Sequence, residues 1–234
     1  MSSIHLFRHG QAGRRDHYDT LSELGRRQTQ LLGEHLAESN ARFTAFFTGA
    51  LKRQQETAAQ IRAAHPELPA PTVDAQWNEF DLTAVYEEIA PRIAADDPEF
   101  RASWEQLMRE SADASSGVHR RWTSTDIAVV RAWIEGRYPT HTESWEEFRQ
   151  RVSGALQTIA RFGEGESIAV STSATPIGIW MGLAMNLENR HIMRTAGSLY
   201  NASITSFRMR GGELSLFSFN GIPHLKHPDL RTFR

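Results

Sequence analysis

The chain has 234 residues, and 26 Lys and Arg against 28 Asp and Glu leave a formal charge of −2. That balance argues against a broad basic surface of the kind that binds nucleic acid or a membrane by charge. The absence of cysteine excludes disulfides, thiolate zinc sites, iron–sulfur clusters and a cysteine nucleophile. A hydrophobic share of 40% is enough for a substantial core. With no apolar run of about 18 residues and no signal-like N-terminus, a cytoplasmic globular protein without a membrane segment is expected.

Ile4 to Phe7 reads as a short strand that ends at the polar step Arg8-His9-Gly10. After a polar loop, Thr20-Leu21-Ser22-Glu23-Leu24 opens a helix, with Leu24, Leu31, Leu32 and Leu36 at helical spacing. Phe43 to Thr48 is a second strand, and Leu51 to Ala64 a second helix that stops before Pro66. This alternation predicts an α/β fold: a three-layer α/β/α sandwich on a mainly parallel sheet. From Leu82 to Tyr138 the pattern changes to helices that do not alternate with strands. The reading is one domain over residues 1–234 with a helical insertion, or lid, over 82–138. Its Trp104, Trp122 and Trp133 stand at helical spacing, where aromatic residues are more often core than ligand contacts. Thr142 to Arg161 is an amphipathic helix. Ser167 to Ser171 is a buried strand, followed by an apolar helix over Pro176 to Met185. Ala202–Met209 and Glu213–Phe219 flank Arg210-Gly211-Gly212 and predict a hairpin. The tail after His224 is expected to pack loosely.

Arg8-His9-Gly10 falls at the carboxyl end of the first strand, and open α/β sheets bind ligands outside those ends. Taken alone, the tripeptide is more plainly a strand end than a site. A second strand-to-helix junction, Thr48-Gly49-Ala50-Leu51-Lys52-Arg53, changes that balance. It puts Arg53 in the first turn of a helix whose N–H groups favour anions. Two arginines from neighbouring strand ends can clamp phosphate oxygens with forked hydrogen bonds.

Leu6-Phe7-Arg8-His9-Gly10-Gln11, Leu21-Ser22-Glu23-Leu24-Gly25 and Leu51-Lys52-Arg53 with Thr57-Ala58 together resemble the histidine phosphatase superfamily, the phosphoglycerate mutase-like fold. The resemblance implies that His9 attacks phosphorus and forms a phosphohistidine, with Arg8 and Arg53 holding the phosphate. It also implies a carboxylic acid after the third strand that protonates the leaving oxygen and then activates water. Trp77-Asn78-Glu79-Phe80-Asp81 sits there; Glu79 is the choice and Asp81 the rival. No metal and no cofactor are implied, and the expected partner is a phosphorylated small molecule. Oligomeric state is left open.

The sequence departs from the family pattern at one point. Where that pattern carries Val-Ser-His-Gly-Gly, this chain reads Val170-Ser171-Thr172-Ser173-Ala174-Thr175, which puts Ser173 (or Thr172, counting forward) at the second histidine. One transition-state donor is typically worth ~10²–10³ in rate, so weakened turnover is expected. Restoring it with Ser173→His is expected to raise turnover about tenfold. Arg15, close to a phosphate-contacting position of the family, is a candidate replacement for the lost donor. The resulting expectation is a phosphomonoester hydrolase, with a phosphate-binding regulatory module as the alternative and a mutase as the less fitting third.

Overall fold

The computed structural model describes residues 1–233, so residue 234 of the expected domain lies outside it. In chain order the elements are β1 (Ser2–Arg8), α1 (Glu23–Glu38), β2 (Ala45–Thr48), α2 (Lys52–Ala64), β3 (Thr72–Val73), α3 (Leu82–Asp96) and α4 (Pro98–Ser111). They continue with α5 (Ser124–Ile134), α6 (Trp145–Ala160), β4 (Ser167–Thr172), α7 (Ala174–Met185), α8 (Asn189–Gly197), β5 (Ile204–Arg210) and β6 (Glu213–Gly221). The strands form one sheet in the order β3-β2-β4-β1-β5-β6. β3, β2, β4 and β1 run parallel, β5 pairs antiparallel with β1, and β6 pairs antiparallel with β5.

A parallel sheet needs cover on both faces, and the period-2 alternation of its strands supplies two apolar surfaces. On one, Phe7, Phe46 and Ala169 pack against Leu32 and Leu36 of α1 and Ala58 and Ile61 of α2. On the other, Phe207 lies opposite Ile4 in register and meets Trp180 of α7, with ring centroids 5.8 Å apart. The sandwich expected from the sequence is therefore the observed one. At the hairpin, Gly211 and Gly212 have φ of 56° and 84°, backbone values that glycine adopts without a Cβ clash.

The described residues fall into two compact units. The first comprises Met1–Gly13, Tyr18–Glu79 and Arg151–Phe233 and holds the whole sheet. The second comprises Arg14–His17 and Phe80–Gln150. The helical stretch expected at 82–138 thus extends further at both ends, gathers a short segment from the loop after β1, and clusters as a unit of its own. Its core is aromatic: the Phe80 ring lies 4.6 Å from that of Trp133, and Trp133 lies 5.5 Å from Trp145. Trp133 is a core residue whose indole N–H donates to Glu143 O at 3.0 Å, while Trp122 is exposed.

Two elements escape the sequence reading. β3 is two residues long inside a proline-marked loop, and α8 buries only Ile192 and Ala196 of a mostly polar stretch. The tail, though mostly exposed as a loosely packed segment would be, is tied down by hydrogen bonds. Gln28 Nε2 donates to Leu230 O at 2.7 Å and to Thr232 Oγ1 at 2.9 Å, and Asn201 N donates to Thr232 O at 2.8 Å. The Phe233 ring sits 4.3 Å from that of Tyr200. Backbone amides and two buried side chains satisfy this segment, which composition alone does not reveal.

Candidate active site

The parallel pairing of β1 with β4 aligns Arg8 with Thr172, and that of β2 with β4 aligns Thr48 with Ser171. Three carboxyl ends therefore share one sheet edge, carrying Arg8-His9, Thr172-Ser173 and Thr48-Gly49. Past the strand, His9 N donates to Thr172 O at 2.8 Å and Gly10 N to Thr57 Oγ1 at 3.2 Å. A Cβ on Gly10 would lie 2.4 Å from Gly25 O, so only glycine lets this turn lie against the start of α1.

His9 is 2% exposed. Burial first, then the charges of Arg53 and Arg8, push its pKa well below the ordinary histidine value, against a smaller opposing effect from Gly10. The ring is therefore neutral at neutral pH. Nδ1 lies 2.7 Å from Gly10 O, and a carbonyl only accepts, so Nδ1 carries the proton. The lone pair is left on Nε2, the form a nucleophile requires.

Arg53 sits in the first turn of α2, 6% exposed. Its Nη1 donates to Asp19 Oδ1 at 2.9 Å, and the other oxygen of the same carboxylate accepts from Lys52 N at 3.1 Å. The Tyr18 ring lies 5.0 Å beneath the guanidinium, and Arg53 Nε is buried without a hydrogen-bond partner. Arg8 is also buried. Its Nη1 donates to Leu199 O and its Nη2 to Phe233 O at 2.6 Å. Main-chain carbonyls thus hold it beside His9, where its charge acts on the ring.

Glu79 is half-buried, and its Oε2 accepts from Thr175 N at 3.1 Å, at the N-terminus of α7. Arg151 fixes the preceding loop through Nη1, which reaches Ala75 O at 2.9 Å and Asn78 O at 3.2 Å. Asp81, the rival acid, is exposed and caps α3 by accepting from Ala84 N at 3.1 Å. Ser173 precedes α7 but makes no side-chain cap. It is 0% exposed, and its Oγ accepts from Gln54 Nε2 at 2.8 Å. Gln54, itself fully buried, gives its other amide hydrogen to Trp77 O at 3.0 Å. The space at the expected second-histidine position is filled by a glutamine–serine pair. This alters the expectation for Ser173→His, because an imidazole there must compete with the Gln54 amide.

Arg15, the candidate replacement donor, is engaged within the helical unit. Its Nη1 and Nη2 meet Asp126 Oδ1 and Oδ2 at 3.0 and 2.6 Å, Nε donates to Val118 O at 2.9 Å, and Nη2 reaches Arg121 O at 3.1 Å. Asp126 is 0% exposed. Burial opposes its charge, but hydrogen bonds from Arg15, Tyr86 and Thr123 outweigh that and bring its pKa down to about 2. The guanidinium is spent inside the helical unit on a carboxylate that needs it, a partner the loop sequence does not announce. Among the described residues no group of three or more His, Asp or Glu is gathered to hold a metal ion. No helix among them is long and apolar enough to cross a membrane.

The model of the histidine phosphatase superfamily (branch 1) matches residues 4–126 and 116–221. The chain belongs to that superfamily. Comparison with curated proteins returns no match. Solved histidine phosphatase folds do match over nearly the whole chain. YhfR of Bacillus stearothermophilus is 19% identical with a TM-score of 0.66, covering 97% of this chain and 100% of that one. A phosphoserine phosphatase mutant from Entamoeba histolytica in complex with phosphoserine is 16% identical with a TM-score of 0.62, covering 96% and 100%. A phosphoglycerate mutase from Bacillus anthracis is 15% identical with a TM-score of 0.63, covering 96% and 95%. At these identities the likeness establishes the fold, and the family match supports phosphatase-type chemistry at the level of the superfamily.

In this member of the superfamily, sequence reasoning missed Gln54, Asp19 and the main-chain carbonyls on Arg8. Gln54 adjoins a motif arginine and is buried without being apolar, which is a faint signal. Asp19 gives none, because an aspartate in a polar loop is unremarkable until the fold brings it to α2.

Proposed function

We propose that the protein is a phosphomonoester hydrolase acting through a phosphohistidine on His9, with no metal in the reaction. The observation that carries this reading is the state of His9: neutral, protonated on Nδ1 by its bond to Gly10 O, and flanked by the charges of Arg8 and Arg53. Nε2 attacks phosphorus in line, the N–P bond forms, and the bond to the leaving oxygen breaks. The Glu79 carboxyl gives its proton to that oxygen. In the second step the Glu79 carboxylate takes a proton from water, the hydroxide oxygen attacks phosphorus, and the N–P bond breaks to release phosphate and restore His9. Arg53 and Arg8 offset the charge on the phosphoryl oxygens throughout. The substrate is a phosphorylated small molecule.

A second reading, a site that binds a phosphorylated ligand without turning it over, is favoured by one observation: Ser173 Oγ is sealed against Gln54. Phosphate release from a generic aryl phosphate separates the two. The hydrolase predicts turnover, an acid-labile phospho-enzyme, and loss of both in His9→Ala. Binding of the ester without release, identical in wild type and His9→Ala, would establish the second reading.

A further inference from the structure

Each of the polar side chains Arg8, Arg53 and Ser173 makes at least one hydrogen bond inside the protein, but the partners are not equivalent. Arg8 is held by main-chain carbonyls, and Ser173 by Gln54, which is fully buried in α2. The partner of Arg53 is Asp19, whose side chain is 51% exposed and which lies in the loop between β1 and α1. Asp19 places one oxygen on Arg53 Nη1 and the other on Lys52 N, so a carboxylate already spans an arginine and the first amide of α2. These are donors suited to an anionic ligand.

We infer that Asp19 is an internal competitor for the phosphoryl group, occupying Arg53 until a phosphate displaces it. The inference rests on the reading of Arg53 as a phosphate ligand. Asp19 leaves the site unfinished, because Arg53 Nε remains buried with no hydrogen-bond partner while Nη1 is taken. A buried donor without an acceptor is a rare and unfavourable state. A phosphoryl group carries more oxygens than a carboxylate and satisfies Nε together with the terminal nitrogens, as the planar fork of arginine allows. Tyr18 beneath the guanidinium keeps Arg53 in place when the carboxylate leaves. Because Asp19 is half-exposed and lies in a loop, its departure breaks no helix or strand pairing. Asp19 therefore determines how much phosphate is needed to fill the site.

The test is calorimetric titration of inorganic phosphate into wild type, Asp19→Asn and Asp19→Ser. Both variants are expected to bind phosphate about threefold more tightly, the scale of a half-exposed ion pair. The gain should disappear in an Arg53→Ala background. Equal or weaker binding by both variants overturns the inference and makes Asp19 a support for Arg53. Absence of phosphate binding in every protein overturns the anion site and the inference with it. Turnover is measured separately: tighter phosphate binding in the variants with no ester hydrolysis by wild type sinks the hydrolase reading and leaves Asp19 as the competitor.

Discussion

Gln54 hands an amide hydrogen to the Ser173 hydroxyl across 2.8 Å, and this bond occupies the sheet edge at the position where a second histidine was expected. The two residues are 119 positions apart, one in the first turn of α2 and the other leading into α7. Their pairing fills the position at which the sequence led one to expect a second histidine.

Restoring the histidine alone should therefore fail. Ser173→His forces an imidazole into a filled site and is expected to lose about 1–3 kcal/mol of stability by overpacking, without gain in turnover. Gln54→Ala with Ser173→His makes room and is expected to exceed the wild-type rate by about tenfold, near ~1.4 kcal/mol of barrier. Thermal unfolding and aryl phosphate turnover of both variants check this. A gain in the single variant equal to that of the double would show that Gln54 does not obstruct.

Activity should survive acidification that would silence an ordinary histidine. Only neutral His9 can attack, and its pKa lies well below 6.5 through burial, Arg53 and Arg8. The rate is thus lost only as pH falls through that lowered value, and between about pH 8 and pH 6 protonation of His9 takes nothing from it. In Arg53→Ala one cause of the depression is gone, so the acid limb moves up toward 6.5. Rates per folded enzyme across pH, for both proteins, decide the point.

Arg15→Ala is expected to act on stability. Asp126 is fully buried, and removing one partner of a buried pair typically costs about 3–5 kcal/mol. Asp126 is ionised in the fold down to about pH 2 and in the unfolded chain down to 3.8, so it stabilises above 3.8 and loses that effect as pH falls through 2. The deficit of Arg15→Ala in urea unfolding should accordingly be largest at neutral pH. A variant of wild-type stability with weakened phosphate binding would instead return Arg15 to the anion site.

The protein should also lose stability in mild acid. His5 and His224 are held neutral, each with a pKa lowered to about 4 mainly by burial. Unfolded, both take up protons near 6.5, so the unfolded state gains as pH drops from 6.5 toward 4. The sum is of the order of a few kcal/mol. Replacing His224 by Leu removes one titrating group, and a melting temperature in that variant that falls as steeply between pH 6.5 and 4 would refute its part.

Much of the sheet and its motifs could be read from the sequence because they are local. Arg8-His9-Gly10 and Leu51-Lys52-Arg53 each stand where a strand pattern of period 2 gives way to a loop or helix. The partners of those residues are not local. Asp19 reaches Arg53 across 34 positions, and Arg15 reaches Asp126 across 111. No periodicity encodes such pairs. The pattern of the loop that carries Arg15 contains nothing of the carboxylate that claims it. Glu79 and Asp81 are told apart only by the fold, which turns one toward α7 and makes the other the cap of α3.

Arg8 and Phe233 are 225 positions apart, yet the carbonyl of one receives a hydrogen bond from the guanidinium of the other. During synthesis the arginine emerges 225 positions before its acceptor. Contacts of such separation carry a large loop-closure entropy and form late. β1, which leads directly into His9, also pairs with β4 and β5, both much later in the sequence. A ribosome-bound chain that stops short of β4 has His9 and both arginines but no completed sheet edge to hold them. The capacity to bind phosphate should therefore appear abruptly, and only once β4, β5 and the segment carrying Phe233 have left the ribosome.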